Sequence, residues 1–357
     1  MTKLCFDARF IKPEHPDGIS RFSLNLIAEL ATMCELTVLI SSPEVAAKMP
    51  AGVKMIQLPN PTSALEVLTA LKLNRAGVKV VFSPMQTTGS LGKKFKLILT
   101  LHDLIYYRHR TPPKEFSWAI RVLWRLYHIT FWPQRMVLNG ADHVVTVSET
   151  TKRQMLQKRL TKRPISVIYN SGSGAIESRA SSNHESQQLS YMGSFIGYKN
   201  VETLIRGMGL LPDLTLVCLS RISDQRRKEL QNLADQVGAK VEFRNGVSDE
   251  EYNFELERSL ALVSASRDEG FGIPVVEALE RGIPAVISDI EIFEEIGGEA
   301  ALRFSQDSAQ EFATQVRKLR DQQVWMKRSA LAIEQASNFS WKKSAEQLLV
   351  IARQLGA

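Results

Sequence analysis

The segment from Ala261 to Phe304 constrains the fold of this chain more than any other. An apolar run, Ala261-Leu262-Val263-Ser264-Ala265, has the length and composition of a buried strand. It stops at a polar, glycine-bearing loop, Arg267-Asp268-Glu269-Gly270-Phe271-Gly272. A helix is expected to follow. Pro274 suits its first position, where a missing N–H is no loss, and Gly282 with Pro284 stops it before a second apolar strand, Ala285-Val286-Ile287. The unit is strand, glycine loop, short helix, strand. In such a unit the free N–H groups of the loop and the positive end of the helix converge on one point, which suits phosphate or sugar oxygens.

Two carboxylates bracket that point, Glu269 in the loop and Glu277 one turn inside the helix. Carboxylates repel phosphate but accept hydrogen bonds from hydroxyls, so a ligand with phosphate in the middle and hydroxyls on either side satisfies the whole arrangement. A sugar nucleotide is such a ligand. The bland alternative stays open on spacing alone: a glutamate early in a helix complements its dipole, and a glycine loop before a helix occurs in many α/β folds.

With 357 residues the chain is long enough for about two domains. No apolar run approaches the roughly 20 residues of a membrane span, and the stretch from Met1 to Phe10 reads as a strand and not as a signal peptide, so a cytoplasmic location is expected. Cys5, Cys34 and Cys218 are scattered among apolar residues without ligand spacing, which favours reduced core thiols. The charge is asymmetric. Residues 1–180 hold 25 Lys and Arg against 12 Asp and Glu, leaving 20 against 26 for residues 181–357, so the whole surplus of +7 comes from the first half. Such a surface suits an acidic substrate or an anionic lipid surface. No nucleic-acid-binding signature accompanies it.

The pair Glu269 and Glu277, with Gly270-Phe271-Gly272-Ile273-Pro274 between them and Gly282-Ile283-Pro284-Ala285-Val286-Ile287-Ser288-Asp289 after them, resembles the E-x7-E signature of retaining GT4-type glycosyltransferases, mannosyltransferases among them. The resemblance implies an α/β GT-B fold, two Rossmann-like doubly wound domains facing each other across a cleft. It implies an acceptor-binding domain at 1–172, joined by a C-terminal helix at 340–357, and a nucleotide-sugar-binding domain at 173–339. It further implies that Glu269 and the backbone of Phe271, Gly272 and Ile273 hold the transferred sugar, and that Glu277 holds the ribose hydroxyls.

The rest of the chain supplies further candidates. Strands are expected near Lys3–Phe6, Leu36–Ile40, Lys54–Leu58 and Lys79–Phe82, with a helical stretch from Ser63 to Leu73. Asp17-Gly18-Ile19 sits at a helix start, and the resemblance brings the backbone of Gly18 toward the donor diphosphate. The apolar run 95–101 emerges at His102-Asp103. The C-terminal edge of a parallel strand is where open α/β sheets bind ligands, and by resemblance His102 orients or polarises the donor sugar. For Asp103 a capping or loop-ordering role is the better reading.

Residues 114–139 interleave Phe116, Trp118, Ile120, Leu123, Trp124, Ile129, Phe131 and Trp132 with Arg121, Arg125 and Arg135, and Pro133 kinks or ends the helix there. This composition suits an anionic membrane interface as well as a partly aromatic core. Ser148 can cap a basic helix, and Asn170 to Gln188, rich in Ser, Gly and Asn, reads as an interdomain linker.

In the second half, Tyr198-Lys199-Asn200 precedes a helix starting near Val201, which puts Lys199 near a positive helix end where an anion would meet charge and N–H groups together. The family's Lys at this turn matches Lys199, whereas the positions usually held by Arg are Ser194 and Tyr198; Arg221 is the candidate substitute. The segment around Val247 resembles the one that borders the nucleotide base. No Asp-x-Asp occurs, so no metal or cofactor is expected, and Lys199, the helix end after Gly272 and the amide of Gly18 would neutralise the leaving diphosphate.

The expected function is retaining, metal-independent transfer of a hexose, mannose from GDP-mannose favoured, to a glycan or lipid-linked acceptor. The enzyme would work in the cytoplasm or at the inner membrane face. A non-catalytic nucleotide-sugar-binding partner protein and a nucleotide-sugar epimerase are the competing readings.

Overall fold

Short runs rich in Val, Ile and Leu, each followed by a glycine or polar turn and then an amphipathic helix, dictate parallel pairing, because only a crossover can return the chain to the same end of a sheet. The computed structural model describes residues 2–14, 17–112, 117–172 and 182–357, with Ala64 described by its backbone alone. It divides into two units, Met1–Asn170 with Ser340–Ala357, and Ser171–Phe339. Each is an α/β unit around its own parallel sheet.

The first unit holds β1 (Lys3–Asp7), β2 (Glu35–Ile40), β3 (Lys54–Gln57), β4 (Val80–Ser83), β5 (Lys96–Leu101), β6 (His143–Thr146) and β7 (Ile165–Val167) in the order β3-β2-β1-β4-β5-β6-β7. The strand order reverses direction between β1 and β4. The sheet centre is apolar on both faces, with Phe6, Val81, Leu97, Leu99 and Val144 buried, as a parallel sheet covered by helices requires. The helix Trp341–Gln354 packs on the helix Gly18–Met33; Trp341 lies edge-on to Phe22 at 6.0 Å, and the Ser344 hydroxyl donates to the Tyr169 carbonyl at 2.7 Å.

The second unit holds β8 (Gln188–Tyr191), β9 (Thr215–Cys218), β10 (Lys240–Phe243), β11 (Ala261–Ser264), β12 (Ala285–Ser288) and β13 (Leu302–Phe304) in the order β10-β9-β8-β11-β12-β13. Its reversal point lies between β8 and β11. Leu189, Leu216, Val263 and Val286 form its core with Trp325, whose indole N–H donates to the Leu260 carbonyl at 2.9 Å. Cys5, Cys34 and Cys218 are buried free thiols. Among the described residues no helix is long and apolar enough to cross a membrane.

Two expectations need correction. Residues 114–139 do not form one helix that Pro133 kinks or ends. They form Trp118–Tyr127 and Trp132–Asn139, the break falls before the proline, and Pro133 sits in the first turn of the second helix, where it has no N–H to lose. Phe116 lies outside the described residues. The stretch from Ser63 to Leu73 is a 3-10 turn, Ala64–Leu68, followed by the helix Thr69–Arg75. Of the linker read at Asn170 to Gln188, residues 173–181 lie outside the described residues.

Candidate active site

Ligands of doubly wound sheets bind beyond the strand C-termini where the strand order reverses, because there two neighbouring loops diverge and leave a crevice. In the second unit those loops follow β8 and β11. The first carries Lys199, at the end of the 3-10 turn Gly197–Lys199; the second carries Glu269 and leads into the helix Ile273–Glu280. They bring together residues 70 positions apart: the Lys199 ammonium donates to Glu269 Oε1 at 2.5 Å, and the Ser266 hydroxyl donates to the same oxygen at 2.8 Å. Both side chains are largely but not wholly buried, 16% and 13% exposed. The Lys199 ammonium also lies 5.5 Å from the centre of the Tyr198 ring.

Hydrogen bonds lace the two loops at two further points, and a third ties the first loop to the one after β13. Arg267 N–H donates to the Tyr198 carbonyl at 2.7 Å, and the Asn200 amide donates to the carbonyls of Ala265 at 3.2 Å and Gln306 at 2.6 Å. Asn200 holds a left-handed conformation, φ 53°, as the residue that starts the helix Val201–Met208, a geometry asparagine tolerates better than most residues.

The helix Ile273–Glu280 starts from Gly272 at φ 99°, with no side-chain cap. A Cβ at Gly272 would also stand 3.0 Å from Cε1 of Phe293, so both conformation and space require glycine. Phe271 is buried edge-on against Phe339 at 5.6 Å, which anchors the loop from beneath. Glu277, 4% exposed, accepts a hydrogen bond from the Tyr252 hydroxyl at 2.9 Å, and its backbone carbonyl accepts from the Arg281 guanidinium at 2.8 Å.

Arg221 and Val247 lie further along the same sheet edge, in the loops after β9 and β10. These loops are joined through Ile222 N–H donating to the Asn245 side-chain oxygen at 3.0 Å, and the Arg221 side chain runs along Gly246, where an added Cβ would meet it at 2.7 Å. Gly193 N–H donates to the Ser220 hydroxyl at 2.9 Å, which ties the β8 loop to the β9 loop. Arg221, Lys199, Val247, Glu269 and the helix bearing Glu277 therefore share one edge of the second unit.

In the first unit Gly18 opens the helix Gly18–Met33 next to its cap, Asp17. The Asp17 carboxylate accepts from Ser20 N–H and the Ser20 hydroxyl, both at 2.9 Å, and pairs with Lys12 at 2.8 Å. Partial burial pushes the Asp17 carboxyl up, but Lys12 and Ser20 outweigh it and hold the carboxyl below its ordinary value. A phosphate approaching Gly18 N–H would share the helix end with this carboxylate. His102 follows β5. Its Nε2 lies 2.8 Å from the Pro84 carbonyl, which can only accept, so neutral His102 carries its proton on Nε2 and leaves Nδ1 as an acceptor. Burial pushes His102 below its ordinary pKa, against the opposing pull of the Pro84 carbonyl and Asp17. Asp103 accepts from Ile105 N–H at 2.9 Å, which orders the loop ahead of the short helix Ile105–Arg108.

Sequence reasoning missed Tyr252, Asn200 and Ser266. Tyr252 reads as one more apolar position of the helix Asp249–Glu257, and nothing local signals that its hydroxyl reaches a carboxylate 25 positions away.

Two family models match the chain, Glycosyl transferases group 1 over residues 175–339 and Glycosyltransferase Family 4 over residues 16–171. Over 312 residues the chain is 24% identical to the O-antigen chain mannosyltransferase RfbU of Salmonella typhimurium, covering 85% of this chain and 87% of that protein. It is 34% identical over 114 residues to the serotype-specific mannosyltransferase WbdA of Escherichia coli, covering 32% of this chain but 14% of that one. Among solved structures, Anabaena Alr3699/HepE in complex with UDP and glucose superposes with a TM-score of 0.74 at 17% identity, covering 99% of this chain and 100% of the other.

Proposed function

Because the chain belongs to the GT4-type glycosyltransferases of GT-B fold, we propose that it transfers a hexose with retention of anomeric configuration, mannose from GDP-mannose, to a glycan or lipid-linked acceptor at the inner membrane face. The observation that carries this reading is the meeting of Lys199 with Glu269 at the sheet reversal point, ahead of the helix that bears Glu277. Mannose is favoured by the two relatives, an O-antigen chain mannosyltransferase and a serotype-specific mannosyltransferase.

The ammonium of Lys199 has three donors. With one on Glu269, others remain to meet the diphosphate as its charge develops, together with the backbone N–H groups after Gly272. Arg221 is the second cation of the proposed donor site, and Val247 borders the base. Glu269 and the backbone from Phe271 to Ile273 hold the sugar and Glu277 holds the ribose hydroxyls; in the first unit, Nδ1 of His102 is an acceptor suited to a hydroxyl. Diphosphate departure is assigned to protein donors, so no metal takes part. The transferred carbon passes through an oxocarbenium-like state, and the departing phosphate takes the acceptor proton on the same face. No protein nucleophile is assigned.

The epimerase alternative falls with family membership. The non-catalytic alternative draws on the ion pair that already engages Lys199 and on Ser194 and Tyr198 at positions usually held by arginine. Incubation with UDP-, GDP- and ADP-sugars, first scored for thermal stabilisation and then for nucleoside diphosphate released on adding acceptor, separates these readings. The proposal expects GDP-mannose to stabilise the chain, GDP release only with acceptor, an α-linked product by NMR and undiminished turnover in EDTA. Stabilisation without release under any acceptor would overturn it in favour of a binding protein, and an inverted linkage would overturn retention.

A further inference from the structure

The helix Trp118–Tyr127 stands out because it turns its most apolar face away from the protein. None of its residues is buried. Trp118 is 80% exposed, Leu123 65%, Leu126 56% and Val122 45%. Positions 118, 122 and 126 form one row along the helix and positions 119 and 123 the adjoining row, so these side chains make one continuous outward stripe. Arg121 and Arg125, four positions apart, form the row on the other flank of that stripe.

The helix is held to its unit along the opposite edge. The Trp124 ring lies 4.0 Å from that of His128 and edge-on to Tyr106 at 5.2 Å. Beyond the break Ile129, Trp132 and Met136 are exposed as well. From residue 117 to residue 141 the chain carries three arginines and no Asp or Glu. An amphipathic helix that covers a protein core points its apolar face inward; one that lies in a lipid interface points it outward, with basic side chains at headgroup level and tryptophan at the boundary.

We propose that this surface is a membrane-docking face, with the helix Trp118–Tyr127 lying in the plane of an anionic bilayer, Trp118, Leu123 and Leu126 in the acyl boundary, and Arg121 and Arg125 on lipid phosphates. The occupant is a lipid surface and not a soluble anion, because an anion would satisfy the arginines but leave the apolar stripe in water. Exposed tryptophan at the end of an apolar stripe with arginine along its flank is the arrangement of a lipid interface, so a lipid surface and not an acidic protein patch is the occupant argued for. The inference names the surface through which the proposed transferase reaches a lipid-linked acceptor and rests on that reading only there, since docking itself requires no sugar donor.

The test is flotation of the full chain with vesicles of phosphatidylcholine alone and of an equimolar mixture with phosphatidylglycerol, without sugar nucleotide. Flotation with the anionic vesicles, weakened by salt, is expected. The double variant Trp118→Ser/Leu123→Ser should not float, while Arg121→Ala/Arg125→Ala should lose roughly thirtyfold in affinity for anionic vesicles only. Stabilisation of the same variants by sugar nucleotide, measured without vesicles, should be unchanged, so failure of docking and failure of the transferase reading give different results. Should the serine variant misfold, quenching of wild-type tryptophan fluorescence by brominated lipid, reduced in Trp118→Phe, reads the same insertion. Absence of flotation with anionic vesicles, equal flotation of a folded serine variant, or a concentration-dependent dimer abolished by these substitutions would each overturn the proposal.

Discussion

At the scale of single residues, Lys199 and Glu269 hold one another in a site that is mostly shielded from water, where an unpaired charge is costly. Lys199→Ala should therefore lower kcat by about a hundredfold or more while changing donor KM little, because its charge matters most as the diphosphate departs; steady-state kinetics showing an equal loss in binding would make it a mere anchor. Glu277→Ala should weaken nucleotide-sugar binding by about 1–3 kcal/mol through lost ribose bonds. Tyr252→Phe, which removes the hydroxyl that holds this carboxylate at 2.9 Å, should give a smaller loss in the same direction. Calorimetric titration measures both, and unchanged affinity in Glu277→Ala would place the ribose elsewhere. Gly272→Ala forces a side chain into a left-handed position 3.0 Å from Phe293 and should cost about 1–3 kcal/mol of stability, read by urea unfolding.

At the scale of elements, the site depends on two loops staying in register across a reversal of strand order. Asn200, 2% exposed, ties the first loop to the second through Ala265 and to the loop after β13 through Gln306. Asn200→Ala takes the donor from the buried Ala265 carbonyl and from that of half-buried Gln306 and also disfavours the left-handed backbone, so the second unit should lose about 2–4 kcal/mol, whereas Asn200→Gly restores the backbone and should lose less. Equal losses in urea melts would mean that the amide, and not the backbone, carries the whole effect. The helix Trp118–Tyr127 shows the limit of pattern reading. Its periodicity declares an amphipathic helix, yet period alone does not say which way the apolar face turns.

At the scale of the molecule, the first unit carries three histidines, His102, His128 and His143, that burial holds below their ordinary value of 6.5. The unfolded chain then binds protons that the folded unit refuses, so stability rises with pH through this range and is lost as pH falls below the ordinary histidine value. Melting of the first unit should accordingly drop on acidification from about pH 7 to about pH 5. Replacement of His143 by Asn, which takes no proton, should flatten part of that drop, and a wild-type profile that stays level would show that these histidines titrate normally.

Two kinds of information separate in this chain. The sequence by itself determined the alternation of buried strands and helices, the glycine turn at 270–272, the reduced cysteines and the E-x7-E pair, because each rests on neighbours within one turn or one strand, where period, turn chemistry and capping are local. It also placed Lys199 at a helix start. Only the tertiary structure decided that Lys199 meets Glu269, that Tyr252 holds Glu277, and that the Trp118–Tyr127 helix faces outward. Those facts depend on which strands become neighbours, and strand order is set by the free energy of burying whole sheet faces at once, a sum over distant residues that no local window contains.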